Sequence, residues 1–113
     1  MDAFTRIESR SLTLHRAVAA RLLADPQLWV QARQRLAEWR SEGLRHSFFL
    51  SAWDGLVDAP VEQVAVAIVD PGEHGQRLRR ASPFAFVLGS AERWRVWRSA
   101  LQAEREPRLE TQS

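Results

Sequence analysis

The chain has no cysteine, which removes disulfides, thiolate zinc sites and a cysteine nucleophile together. It has no lysine, so all 16 basic residues are arginine, and it has no tyrosine. Between histidine and arginine little is left to titrate, so the sequence pI of 10.8 overstates a formal net charge of only +2. Coding bias toward GC-rich codons accounts for the arginines, since alanine, leucine, valine and tryptophan are plentiful too. No run approaches the roughly 18 apolar residues of a membrane span. Residues 1–10 carry charges and no apolar h-region, so no secretory signal is read there and a cytoplasmic location is expected. The five glycines form no phosphate-cradling loop, dinucleotide fingerprint or nucleophile elbow. The three histidines, His15, His46 and His74, have no second ligand type at the i+4 spacing of a helical zinc site, so no metal and no cofactor are expected.

What is present describes a helical domain. At 113 residues with 45% apolar and 27% charged residues, the chain has the size and composition of one globular unit. Leu14, Val18 and Leu22 form an i, i+4 ladder after a lead-in over residues 1–8. Asp25-Pro26 stops that helix and starts the next, with aspartate as N-cap and proline at the first helical position. Trp29, Ala32, Leu36 and Trp39 then share one face, and Gly43 suits the position after the helix end. Ser47 is placed to cap a third helix striped by Phe49, Leu50, Trp53, Leu56 and Val57.

Asp58-Ala59-Pro60 opens a fourth helix with Val64 and Ile68 inward, despite four valines within 61–69 that favour a strand. Asp70-Pro71-Gly72-Glu73 repeats the start signal, with Glu73 at the third position of a capping box. Ser82-Pro83 begins a turn that buries some of Phe84, Phe86, Val87 and Leu88, and Ser90 is read as the cap of a last helix. The expected fold is all-α, a compact bundle of five or six short helices over residues 1–106, with a flexible polar tail over 107–113. Its expected core is Leu14, Val18, Leu22, Trp29, Leu36, Trp39, Phe49, Trp53, Leu56, Val64, Ile68, Phe84, Trp94 and Trp97.

Charge is concentrated in residues 77–98. Arg77, Arg79, Arg80, Arg93, Arg95 and Arg98 stand against the single acid Glu92, a local charge of +5 on a chain otherwise at −3. These six arginines are the candidate partner-binding residues, offering a basic face to an acidic partner. On the last helix Trp94 and Trp97 are expected to anchor inward while Arg95 and Arg98 point out. Serine chemistry is not legible, because Ser47, Ser82 and Ser90 are each read as caps, including Ser82 in the kinase-like string Arg79-Arg80-Ala81-Ser82. No catalytic residue is assigned and the chain is not read as an enzyme.

The segment SLTLHRAVA, the DP-initiated helix with Trp39, the Phe49–Trp53 stretch, Ser82-Pro83-Phe84 and Glu92-Arg93-Trp94 resemble a family of short bacterial helical proteins from two-gene, toxin–antitoxin-like cassettes. The resemblance spans residues 9–101 and brings no catalytic motif. It implies an antitoxin-like subunit that masks a partner protein. The expected function is therefore a non-enzymatic protein-binding module whose arginines engage an acidic protein surface. The alternative is a regulatory nucleic-acid-binding protein using the same 77–98 block, against which stand the nearly balanced charge and the lack of a helix-turn-helix spacing.

Overall fold

Local start and stop signals divide the chain into helices before any packing is considered. The computed structural model describes residues 3–43 and 48–105. Among them the protein is helix and turn with no strand: α1 (Ala3–Ala24), α2 (Gln27–Ser41), α3 (Phe48–Ser51), α4 (Val61–Ala67), α5 (Glu73–Arg80) and α6 (Ser90–Arg105). Asp25 Oδ1 accepts the Gln27 N–H at 3.2 Å, and Pro26 is already helical at φ −60°, so this dipeptide both closes α1 and opens α2. Gly43 takes φ +93° just past α2, a conformation costly for any residue with a Cβ.

Three start signals work differently from the sequence expectation. Residues 3–8, expected as a loose lead-in, belong to α1. Glu8 is drawn to Arg80 at 3.3 Å and to Arg79 at 3.9 Å, which docks the early turns of α1 on α5. Residues 52–58, expected as the body of a third helix, form successive tight turns after the single turn α3. Trp53, Asp54 and Leu56 N–H groups each bond three residues back, the tighter pitch that keeps the apolar stripe but shortens its repeat. The capping box at 70–73 does not form. Asp70 Oδ1 instead accepts the Gly72 N–H at 3.0 Å, and Glu73 becomes the first helical residue, paired with Arg77 one turn on at 2.5 Å. The valine-rich 61–69 stretch is helix α4, because Pro60 at φ −66° and ψ 154° sets the entry and its carbonyl accepts from Val64.

The core gathers one face of each of α1, α2, α4 and α5 around the 50–56 and 83–88 turns. Val18, Leu22, Trp29, Leu36, Trp53, Leu56, Val64, Ile68 and Phe84 are buried in it, with Leu50, Leu78, Val87 and Leu88. At its centre Trp53 is fully enclosed, 5.7 Å from the Phe84 ring and 6.0 Å from Trp29. Both indole N–H groups are satisfied by carbonyls, Trp29 by Ala59 and Trp53 by Leu78, each at 3.2 Å. Leu14 and Trp39 lie half-buried at the edge, where Arg35 stacks between Trp39 and Phe86 at 5.9 and 5.6 Å. The Phe49 side chain, Ser47, His46 and the 107–113 tail lie outside the described residues.

Two expected core residues are corrected. Trp94 is 56% exposed, and Trp97 is only half-buried. The cause is the helical phase of α6. The helix packs on α1, and Arg93, Val96, Trp97 and Ala100 are among its less exposed residues, a face centred one residue away from the one its tryptophans suggest. The aliphatic stem of an arginine covers apolar surface well enough to sit at such a seam.

Candidate interaction surface

The basic block of the sequence is broken up by the fold. Arg79, a candidate partner-binding residue, is 6% exposed and is structural instead. Its guanidinium donates to the Ile68 carbonyl at 3.0 Å and the Asp70 carbonyl at 2.7 Å, filling acceptors left open past the end of α4. Burial pulls its pKa down, opposed by the charges of Glu8 and Asp70, with Arg16 adding to the depression. Gly75, one turn earlier on α5, makes room for this clamp. A Cβ there would stand 1.9 Å from the Asp70 carbonyl oxygen. Sequence reasoning missed Arg79 as a clamp, yet a glycine inside a short helix is a legible signal of close backbone approach.

Arg77 and Arg80 are engaged by Glu73 and Glu8 within the fold. The remaining three arginines lie on α6. Arg95 and Arg98 are exposed, and Arg93 is half-buried against α1. Trp94 and Arg98 are one turn apart and so share a face, with Arg95 beside them. The exposed tryptophan therefore lies with the arginines and not behind them. Arg21 on α1 pairs with Glu92, fixing the start of α6 on the body of the protein.

Between α1, the 82–88 turn and Arg93 lies a small cavity of about 170 Å³. Leu14, Val18, Phe84, Ala85 and Leu88 give it an apolar wall; His15, Ser82 and Arg93 supply its polar groups. His15 is held by a 2.7 Å hydrogen bond from Nδ1 to the Ser11 carbonyl, which leaves Nε2 to accept from the Ser82 hydroxyl at 2.8 Å. Ser82 Oγ accepts in turn from the Phe84 N–H at 3.3 Å. Burial lowers the His15 pKa from 6.5 to about 4; the Ser11 bond opposes this and the Arg79 charge adds to it. The serine–histidine contact has the spacing of a nucleophile and its base. An imidazole so weakly basic is a poor proton acceptor, and the contact serves as a strut from α1 to the 82–88 turn.

A second, open groove of about 620 Å³ runs between α2 and the 54–58 turns, walled by Val30, Leu36, Ala37 and Val57 and bridged by the Arg40–Asp54 ion pair. Among the described residues no three of His, Asp and Glu gather as a metal-binding group, and no helix is long and apolar enough to cross a membrane. No model of a known protein family, no curated protein and no solved structure matches this chain.

Proposed function

We propose that this chain is a non-enzymatic protein-binding module, antitoxin-like in that it masks a partner protein, and that it presents the outer face of α6 to an acidic surface of that partner. The observation that carries this reading is Trp94, 56% exposed on the same face as Arg98 and next to Arg95. An exposed tryptophan leaves apolar area in water that only a partner removes, and tryptophan and arginine are the residues most enriched where binding energy concentrates. The arginines favour carboxylates through charge-assisted, paired hydrogen bonds. With Arg77, Arg79 and Arg80 tied into the fold, this face is too small and the total charge of +2 too low to favour a phosphate backbone.

The test is recovery of the partner from the native host by wild type, by Trp94→Ala and by the Arg95→Ala/Arg98→Ala double variant. The expected result is a stoichiometric acidic protein recovered by wild type and about tenfold less by each variant, with melting temperatures nearly unchanged. Equal recovery by all three sinks the proposal. So does recovery of nucleic acid whose affinity falls steeply with salt, at a slope of about −0.9 per phosphate contacted.

A further inference from the structure

The cavity between α1 and the 82–88 turn holds about 170 Å³, well under the roughly 300–1,000 Å³ of pockets that take cofactors or metabolites. It is close to the roughly 150 Å³ that accommodates a single benzene ring in an apolar interior. One ring or one branched aliphatic group fills it. His15 and Ser82 in its wall spend their polar atoms on each other and on the backbone, so an apolar occupant orphans neither. The remaining polar group is the Arg93 guanidinium, which among the described residues has no ion pair or hydrogen bond. A cation beside an apolar hole selects a group that carries its carboxylate next to its hydrocarbon.

We propose that this cavity is a socket for one apolar side chain of the partner protein, with a carboxylate adjacent to that side chain held by Arg93. The socket rests on the reading of the chain as a protein-binding module and adds where the partner's anchor residue goes. Charge complementarity fixes the kind of occupant. Arg93 is the charged group in the cavity wall left without an ion pair among the described residues, so the partner segment is acidic beside its apolar anchor.

The experiment uses isovalerate, a branched apolar chain ending in a carboxylate, titrated into the full-length protein and followed by amide NMR shifts. Saturable, millimolar shifts are expected at Ala85, Leu88 and Arg93. Isoamyl alcohol should bind about tenfold more weakly, and Arg93→Gln should bring the two probes to parity. Ala85→Phe, at an exposed edge of the cavity, should abolish the shifts and lower partner recovery about tenfold while the melting temperature holds. Absent or scattered shifts overturn the socket, and the Trp94→Ala recovery then still decides the binding-module reading by itself. Isovalerate binding combined with full partner recovery by Ala85→Phe also overturns it, since the cavity would then serve a free carboxylate and no protein side chain.

Discussion

Gly75 and Arg79 form a pair in which each residue explains the other. With 1.9 Å between a would-be Cβ and the Asp70 carbonyl oxygen, Gly75→Ala must push α5 off the end of α4. That overpacking should cost about 3 kcal/mol or more in urea unfolding, although alanine is the better helix former. Arg79→Met keeps the stem and removes the donors, leaving the Ile68 and Asp70 carbonyls unpaired inside. A loss of about 2–6 kcal/mol is expected, at about 1–3 kcal/mol for each of the two orphaned groups. A variant as stable as wild type would show that water replaces the guanidinium. His15 gives the pH dependence. The unfolded chain takes up its proton near pH 6.5, the native protein only near 4, so protonation favours unfolding between them. Stability is therefore complete above pH 6.5 and should fall by about 2 kcal/mol between pH 6.5 and 5, at 1.36 kcal/mol per unit. His15→Gln should flatten that slope; an unchanged slope would assign it to another group.

At the scale of elements, legibility followed the length and regularity of each segment. The phases of α1 and α2 were readable because their apolar ladders repeat over several turns between strong stop signals. The stretch after Ser51 was readable as a buried stripe through Leu50, Trp53 and Leu56, though not as tight turns, since three- and four-residue spacings look alike over so short a span. The α6 phase was misread because two large tryptophans outweighed the half-buried Arg93, whose charge hid its place at the seam. The candidate site was legible only in part: Arg95 and Arg98 are exposed as expected, whereas Arg79 is enclosed by contacts with residues nine and eleven positions away. The corrected phase makes a prediction that separates the two tryptophans. Trp94→Ala should change stability by less than about 1 kcal/mol, as for other exposed sites, and Trp97→Ala should cost more. Melting curves that rank them the other way would return Trp94 to the core.

For the molecule as a whole, elements are joined by burial and by ion pairs of unequal worth. Arg21–Glu92 and Arg40–Asp54 span separate elements but are open to solvent, and pairs of that kind add at most about 1 kcal/mol each. The enclosed aromatic centre is worth more. Trp53→Ala should cost about 3–5 kcal/mol, the range for a large aromatic truncated in a core. Raising salt should accordingly leave the melting temperature almost unchanged while weakening partner binding, because screening acts on the exposed arginines of α6 and hardly on Trp53. A melting temperature that drops steeply with salt would mean that ion pairs, and not the core, hold the elements together. The exposure of Trp94 has an optical consequence. Trp29 and Trp53 are sealed within the core and no tyrosine adds to the emission, so quenching by a small solute in water falls mainly on Trp94, with lesser shares from the half-buried Trp39 and Trp97. The protein carries its own unlabelled fluorophore on the face assigned to its partner, and docking there should register as light that iodide no longer extinguishes.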